Sequence, residues 1–270
     1  MRLVADIGGT KTRIALSEAG RVLPDTVQVF QNDNFDGIAE VLRQYLSGQL
    51  PGAISQAIVA VAGPVSENSV QMTNRDWSIS AASLSEMLGG APARLVNDMT
   101  ALGHAVPALV ASRATNGGRQ SLVVNIGTGF NVCPVIETAN GVICPESQMG
   151  HVRLSQPLKA ALDDRFGERV ADFTLIEDCF SGRGHARLSS LWAEQASRFS
   201  RRYSERSQAI EFSDFYAGLI RQLMPDLIAA FMPLSGIWFC GGVARAVLSS
   251  QVGRSFCDEL TPRHRCHRTW

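Results

Sequence analysis

The sequence has no surplus of charge of either sign. Its 270 residues include 25 Lys and Arg and 25 Asp and Glu, so the formal net charge at pH 7 is zero. Bulk charge therefore gives no attraction to nucleic acid or to an anionic membrane, and we expect neither as a partner. Hydrophobic residues make up 45% of the chain and charged residues 19%. This composition disfavours disorder and fibrous architectures and indicates a globular protein.

Long uninterrupted apolar runs are also missing. The residues before Asp6 form too short an apolar stretch for a secretory signal. Residues 227–244 carry no charge, but Pro233 and several Gly and Ser residues interrupt them. We interpret this segment as a helix end, a turn, a buried strand and a glycine turn, and not as a membrane span. These absences predict a cytoplasmic protein without a membrane partner.

The cysteines show no CxxC spacing. There are six of them in the chain, and most stand in apolar surroundings, which is typical of reduced thiols in a cytosolic protein. Close to the last residue, Cys257, His264, Cys266 and His267 form a cluster that could bind a metal. Their spacing fits no standard zinc pattern, so an irregular tail is the favoured interpretation.

What the sequence does contain is an alternation of apolar strands and helical segments, which indicates an α/β fold. Apolar residues in 35–46 recur with helical spacing, and residues 57–62 form a continuous apolar strand. The two halves of the chain open alike, with a strand, a turn rich in Gly and Thr, and a returning strand. The turn sequences are DIGGTKT at 6–12 and NIGTGFN at 125–131. We interpret this internal echo as two turns that grip one polyphosphate from both sides.

The glycine turns are candidate phosphate sites. Gly8 and Gly9 lack a Cβ, so backbone N–H groups can approach an anion, and Thr10 adds a hydroxyl. Asp6 beside this turn suits a metal-bound water. Gly127-Thr128-Gly129 and Gly241-Gly242 each follow a buried strand. No Walker A pattern is present, and an ordinary hairpin or a tight strand–helix connection is the alternative at each turn.

Several polar residues are candidates for catalysis and substrate binding. Asn97-Asp98 follows the strand 94–96, at the strand end where α/β proteins bind ligands. Alternatively, Asp98 is the N-cap of the helix that begins near Met99. The polar segment 72–77 either binds a polyol or is a loop anchored by Trp77. His151 and Glu177 are candidate ligand contacts, with an ordinary structural or surface role as the alternative.

Several segments match one known family in order and spacing. They run from residue 4 to about residue 248 and read VADIGGTKTRIAL, VAVAGPV, VQMTNRDWSIS, LVNDMTALGHAVP, NIGTGF, QMGHVRL, IEDCFSGRG and IWFCGGVARAVL. In these segments the chain resembles the bacterial glucokinase family, ATP-dependent hexokinases of the actin-like ATPase superfamily. The resemblance implies a two-domain actin-like ATPase (ribonuclease H-like) α/β fold with a central cleft. It implies a small domain over 1–105 and a large domain over 106–270, the latter without the family's usual C-terminal helix.

The resemblance also implies ATP-dependent phosphorylation of D-glucose to glucose 6-phosphate, with ATP and Mg²⁺ as cofactors. Asp98 is then the general base that accepts the proton of the sugar 6-hydroxyl. The implied substrate-binding residues are Asn74, Asn97, Asp98, Gln148, His151 and Glu177. The implied cofactor-binding residues are Asp6, Gly8, Gly9, Thr10, Lys11, Gly127, Thr128, Gly129, Gly241 and Gly242, with Asp6 holding the metal through water. The partner is glucose or a related hexose, and a homodimer is one of the oligomeric states left open.

Departures from the family pattern leave alternative functions open. Gln148 stands where Glu is usual, and an amide carries no charge and accepts at a single oxygen. A lost charged hydrogen bond to the sugar would weaken binding by about 1–3 kcal/mol, unless Glu146 takes its place. Asn131 stands where Gly is common. The alternatives are a catalytically weakened sugar or nucleotide sensor and a kinase for a different hexose.

Overall fold

The computed structural model describes residues 1–48, 54–72, 75–110, 120–199, 205–250 and 266–267. The chain divides into two compact units, residues 1–102 and 103–270. Each unit has its own core of buried apolar side chains. Mixed sheets and helices make up both units, which confirms the predicted α/β class.

A six-stranded mixed sheet forms the centre of the first unit. The strands of this unit are β1 (Arg2–Ile7), β2 (Lys11–Glu18), β3 (Arg21–Val22), β4 (Gln28–Gln31), β5 (Gln56–Val61), β6 (Ser69–Gln71), β7 (Ser78–Ser80) and β8 (Ala93–Asn97). The sheet order is β3-β2-β1-β5-β8, β4 also pairs with β2, and β6 and β7 form a separate hairpin. Strand β2 is antiparallel to β1, whereas β1, β5 and β8 are parallel. These three parallel strands therefore end at the same edge of the sheet.

Three helices accompany these strands in the described residues: α1 (Ile38–Ser47), α2 (Ala81–Met87) and α3 (Asp98–Val110). Helix α1 buries Ile38, Val41, Leu42 and Tyr45, whose helical spacing places them on one face. Helix α2 ends before Gly89-Gly90, which both have positive φ, as helix C-termini favour. The boundary between the two units lies within α3.

A second mixed sheet forms the centre of the second unit. Its strands are β9 (Gln120–Ile126), β10 (Phe130–Thr138), β11 (Gly141–Ile143), β12 (Gly236–Cys240) and β13 (Cys266–His267), in the order β11-β10-β9-β12-β13. Strand β10 is antiparallel to β9 and β11, whereas β12 is parallel to β9 and β13. Every residue of β12 is buried, which confirms the predicted buried strand.

An aromatic cluster (Phe130, Phe166, Phe180, Trp192, Phe212, Phe215 and Tyr216) lies in the second unit, which has five further α-helices in the described residues. They are α4 (Gln156–Phe166), α5 (Ile176–Cys179), α6 (Gly182–Phe199), α7 (Glu205–Phe231) and α8 (Gly242–Leu248). His185 belongs to this cluster, because its ring lies edge-on to Phe212 at 5.1 Å and to Tyr216 at 4.8 Å between centroids. Burial lowers the pKa of His185, which keeps the ring neutral in this apolar surrounding.

The uncharged segment 227–244 has the structure that its sequence predicts. It contains the end of α7, a turn, strand β12 and the start of α8. Among the described residues, no helix combines the length and the apolar character needed to cross a membrane. Cys257 and His264 of the predicted irregular tail lie outside the described residues, as does most of the region in which the resemblance implies a missing helix.

Candidate functional site

The three parallel strands of the first unit end in register. Ile7 of β1 pairs with Val61 of β5, which in turn pairs with Asn97 of β8. The next residues along the chain, Gly8 and Asp98, therefore leave the sheet at one edge. Their strands are two interstrand spacings apart, which is about 10 Å. This is the edge at which α/β sheets bind their ligands.

Asn97 caps helix α3. Its Oδ1 accepts hydrogen bonds from the backbone N–H of Met99 at 3.0 Å and of Thr100 at 3.2 Å. Its Nδ2 donates to the carbonyl of Gly63 at 2.9 Å. The residue is only 5% exposed, so this cap is part of the protein interior. Asn97, and not Asp98, is therefore the N-cap, and Asp98 is the first residue of the helix.

Asp98 is a partly buried carboxyl group with a perturbed pKa. Its Oδ1 accepts a hydrogen bond from the backbone N–H of Met99 at 2.8 Å. Burial raises the pKa of Asp98 from the ordinary value of 3.8 to about 6, against the lowering effect of the Met99 hydrogen bond, and the charge of Asp6 raises the pKa further. Such a group is ionised at neutral pH and is a better proton acceptor than an ordinary carboxylate.

The turn between β1 and β2 (Gly8–Thr10, the first glycine turn) offers free backbone donors. The N–H of Gly8 closes the turn by donating to the carbonyl of Lys11 at 3.0 Å. The N–H groups of Gly9 and Thr10 have no hydrogen-bond acceptor in the described parts of the chain. Two adjacent free N–H groups in a turn are an anion-binding arrangement. Lys11, the first residue of β2, has an exposed side chain.

All three carbonyls of the first glycine turn are held by other residues. Asn32, which is fully buried, donates from Nδ2 to Gly8 at 2.8 Å and from its backbone N–H to Thr10 at 3.0 Å. Arg75 donates from Nε to the carbonyl of Gly9 at 2.7 Å. The turn consequently presents donors, and not acceptors, to a ligand.

Asn32 and Arg75 are site residues that the sequence analysis missed. Asn32 also accepts a hydrogen bond from Thr12 Oγ1 at 2.9 Å. Arg75 pairs with Asp33 and lies over the ring of Trp77, with 5.2 Å from its guanidinium carbon to the ring centroid. Trp77 is buried, as the alternative of a loop anchored by this residue requires.

Asp6 is the candidate metal-binding carboxylate of the first unit. Its Oδ2 pairs with Arg13 of β2 at 2.9 Å, and its side chain is 48% exposed. The described residues contain no group of three or more His, Cys, Asp or Glu side chains that could enclose a metal. This donor set fits Mg²⁺, which keeps several waters and binds through one or two carboxylates and the phosphates of a substrate.

The turn between β9 and β10 (Gly127–Gly129, the second glycine turn) repeats the pattern of the first. The N–H of Gly127 closes it by donating to the carbonyl of Gly129 at 3.0 Å, and Gly182 donates to the carbonyl of Gly127 at 2.7 Å. Within the residues that the structure describes, the N–H groups of Thr128 and Gly129 have no acceptor. The internal echo of the sequence thus corresponds to two turns with two free donors each.

Gly241 lies directly against the second glycine turn. Strand β12 runs parallel to β9, so both strands end at the same edge. A Cβ on Gly241 would lie 2.3 Å from the carbonyl oxygen of Ile126, and the φ of Gly241 is +95°. Only glycine fits this position. A Cβ on Gly242, by contrast, would meet no heavy atom of the described residues within 4 Å, so among these residues the space beside it is open.

Glu177 lies between the second glycine turn and Gly150, the residue before His151. Its Oε2 accepts a hydrogen bond from the backbone N–H of Phe130 at 3.2 Å, next to the second glycine turn. A Cβ on Gly129 or on Gly150 would lie 3.0 Å from the same oxygen. His151 follows Gly150 and has an exposed side chain. The carboxylate therefore adjoins both a predicted phosphate turn and the predicted sugar loop.

Asn131 connects β10 to the segment that contains Gln148. Its Nδ2 donates to the carbonyl of Ser147 at 2.6 Å, and its Oδ1 accepts from Ser147 Oγ at 3.1 Å and from the N–H of Met149 at 3.1 Å. The side chain of Gln148, between these two residues, is exposed, as is that of Glu146.

The predicted site residues divide between the two units. The first unit contains Asp6, Gly8, Gly9, Thr10, Lys11, Asn97 and Asp98; the second contains Gly127, Thr128, Gly129, Gln148, His151, Glu177, Gly241 and Gly242. Asn74 lies outside the described residues. Gly182 is a further contact of the second glycine turn; it belongs to the matching IEDCFSGRG segment, which was the only signal for it in the sequence.

Comparison with other proteins gives one family. Residues 3–269 match the family described as Glucokinase. The chain is 26% identical over 287 residues to the Glucokinase of Marinobacter nauticus, across 97% of this chain and 88% of that protein. It is 30% identical over 262 residues to the Bifunctional protein glk of Paraburkholderia xenovorans, across 90% of this chain but 41% of that protein. The chain thus spans less than half of this longer relative.

Solved structures of sugar kinases share the fold. A glucokinase from an Antarctic psychrotroph superposes with a TM-score of 0.71 at 22% identity, over 99% of this chain and 94% of that one. A ROK family glucokinase from Streptomyces griseus, in complex with glucose and AMPPNP, gives a TM-score of 0.58 at 17% identity, over 99% and 93% of the two chains. At these identities the structural likeness concerns the fold alone.

Proposed function

Because the chain belongs to the glucokinase family, we propose that it transfers the γ-phosphoryl group of ATP to the 6-hydroxyl of D-glucose. The products are glucose 6-phosphate and ADP. The relative from Marinobacter nauticus is named a glucokinase, and the Streptomyces griseus structure holds glucose and AMPPNP. The observation that carries the proposal is Asp98, a carboxyl group with a raised pKa at the sheet edge where the first glycine turn also lies.

Asp98 acts as the general base in this proposal. It accepts the proton of the 6-hydroxyl while that oxygen attacks the γ-phosphorus, and the bond from the γ-phosphorus to the bridging oxygen breaks to release ADP. The reaction demands alignment of the two reactants more than a strong base. The buried cap at Asn97 fixes the start of α3 and thereby fixes the backbone position of Asp98.

The two glycine turns bind the phosphates of ATP. The free N–H groups of Gly9 and Thr10, and those of Thr128 and Gly129, donate to phosphate oxygens as negative charge shifts during transfer. Lys11 adds a positive charge next to the first turn. The open space beside Gly242 suits the flat adenosine group, which can approach the backbone closely there.

Asp6 would hold Mg²⁺ through water. The Arg13 pair engages Oδ2 of Asp6 and leaves Oδ1 for that role. When bound, the ion neutralises phosphate charge. The carboxylates of Asp6 and Asp98 repel each other electrostatically, and a nearby cation relieves that repulsion.

The sugar is held by Asn74, Asn97, Gln148, His151 and Glu177. Asn97 has already used its oxygen twice and its Nδ2 once, so it contributes the remaining Nδ2 hydrogen. Glu177 still has its Oε1 for a sugar hydroxyl, because Phe130 bonds to Oε2. Gln148 supplies one amide oxygen where a carboxylate would offer two.

The wider organisation rests on the family resemblance. We propose a small domain over residues 1–105 and a large domain over 106–270. We also propose a cytoplasmic protein, because Cys133, Cys144, Cys179 and Cys240 form no disulfide within the described residues and reducing compartments preserve thiols.

A coupled assay tests the proposal. Purified protein is incubated with ATP, Mg²⁺ and a panel of glucose, mannose, fructose and glucosamine, and sugar phosphate and ADP are both measured. Glucose is expected to give the highest kcat/KM, and Asp98→Asn is expected to reduce it by about 10²–10⁴-fold. Calorimetric glucose binding without any product would support the sensor alternative, and preferred turnover of another hexose would correct the substrate. A folded protein that neither binds nor phosphorylates any sugar of the panel would contradict the family-based function.

A further inference from the structure

The hairpin of β9 and β10 joins the second glycine turn to the predicted sugar-binding groups. Its tip is Gly127–Gly129, and the two residues that follow on β10 both contact the sugar side of the site. The backbone N–H of Phe130 bonds to Glu177 at 3.2 Å. The side chain of Asn131 bonds to Ser147 and Met149, on either side of Gln148.

Three hydrogen bonds from one amide fix the backbone around Gln148. Asn131 uses one donor and one acceptor in them, with distances from 2.6 to 3.1 Å. The single hydroxyl proton of Ser147 is shared, because its Oγ also lies 2.6 Å from the carbonyl oxygen of Val132, which is the shorter of the two contacts. A glycine at position 131 would remove the bonds that its side chain makes. Among the hydrogen bonds described for residues 147–149, the bond from Ser147 to Val132 would remain, as would those that the carbonyls of Gln148 and Met149 accept from the N–H groups of His151 and Val152.

Because Gln148 is exposed, the hydrogen bonds of Asn131 to its neighbours matter for the order of this residue. The Gln148 side chain is exposed and makes no intramolecular hydrogen bond in the described part of the chain, so its own contacts do not order it. Ordering a free side chain and its backbone upon ligand binding reduces affinity, and a segment that is already ordered avoids this loss. Asn131 supplies that order from the neighbouring strand.

Resting on the proposed function, we propose that Asn131 is a positioning residue for sugar binding. It attaches residues 147–149 to β10 and so preorganises Gln148 and the adjoining His151 for the sugar, without contacting the sugar itself. The consequence is specific: loss of Asn131 weakens the binding of glucose and leaves the binding of ATP and the chemical step nearly unchanged.

The test compares Asn131→Gly and Asn131→Asp with the wild type. Asn131→Gly is expected to raise the KM and the calorimetric Kd for glucose about tenfold, with kcat and the KM for ATP within about twofold. Asn131→Asp puts a carboxylate oxygen where Nδ2 donates to the carbonyl of Ser147. Two acceptors then face each other, so a rise at least as large is expected. The control is Asn140→Gly, at an exposed asparagine in the turn between β10 and β11. It is expected to change neither the KM nor the Kd for glucose.

A double-mutant cycle separates positioning from a purely structural role. If Asn131 acts by positioning Gln148, then Gln148→Ala weakens glucose binding less in the Asn131→Gly background than in the wild type. A glucose Kd that changes by less than twofold in Asn131→Gly, or fully additive effects of the two substitutions, would overturn the inference. A wild type that binds glucose without turnover contradicts the proposed catalysis alone, because the binding measurements on Asn131 stand without turnover.

Discussion

Replacing Asp98 by asparagine is expected to inactivate the protein and to stabilise it at the same time. The introduced side chain has nearly the same shape, and its amide oxygen still accepts the hydrogen bond from the N–H of Met99. It carries no charge, so it does not suffer the burial that raises the pKa of Asp98 to about 6. A residue that is poorly placed for stability and well placed for proton transfer is expected at a catalytic position.

The magnitude follows from the change in pKa. A rise from 3.8 to about 6 corresponds to about 3 kcal/mol at about 1.4 kcal/mol per pKa unit. Because the folded-state pKa is raised, the protonated form of Asp98 stabilises the fold below about pH 3.8, and this stabilisation is lost as the pH rises through about 6. Asp98→Asn should therefore gain up to about 3 kcal/mol at pH 8 and only about 1 kcal/mol near pH 4.5.

Urea unfolding of the wild type and of Asp98→Asn at the two pH values measures this difference. The comparison cancels the titrating groups that do not interact with residue 98; Asp6 does interact with it. Asp25→Asn, at an exposed aspartate, is the matched control for the loss of a surface carboxylate. An Asp98→Asn variant that is less stable than the wild type at pH 8, or whose gain is the same at both pH values, would refute the argument that burial perturbs this carboxyl group.

Three further predictions concern the neighbouring groups. The kcat/KM for glucose should fall tenfold per pH unit below about pH 6, because only ionised Asp98 accepts a proton. In a pH–rate profile, Asp6→Asn should move this acidic fall to lower pH, because the charge of Asp6 raises the pKa of Asp98. Asn32→Ala should lower the free energy of unfolding by about 1–3 kcal/mol, measured in urea, because it leaves the Gly8 carbonyl and the Thr12 hydroxyl without partners; unchanged stability would contradict this. Gly241→Ala should abolish AMPPNP binding, measured by calorimetry, because the added Cβ clashes with Ile126. The control is Gly218→Ala, on α7, where a Cβ meets no heavy atom of the described residues; it should bind AMPPNP normally and raise the free energy of unfolding by about 1 kcal/mol. Equal AMPPNP binding by the two variants would argue against the clash.

The sequence was sufficient for those elements that local pattern determines. Short apolar runs beside glycine turns predicted β1 and β2, and the same signals predicted β9, β10 and β12. Helix α6 was missed, because it begins with Gly182 and Gly184 and glycine disfavours helices. The structure shows why Gly184 stands there, since a Cβ would lie 2.2 Å from the carbonyl oxygen of Asp178.

The candidate site was predictable only where its residues lie in short sequence motifs. Asp98 and the glycine turns lie in short motifs, so the resemblance identified them. Asn32 is 24 positions from Gly8 and acts on it through tertiary structure, for which no local pattern exists. The choice of Asn97 over Asp98 as the cap also depends on Gly63, which lies on another part of the chain.

The free backbone donors of the two glycine turns have an evolutionary consequence. A donor that belongs to the main chain is present whatever amino acid except proline occupies its position, provided that the backbone keeps its path. Substitutions accumulating between distant homologues can therefore exchange most side chains and retain the anion pocket. The 26% identity to the Marinobacter nauticus protein is compatible with such inheritance, in which selection acts on the shape of the turns.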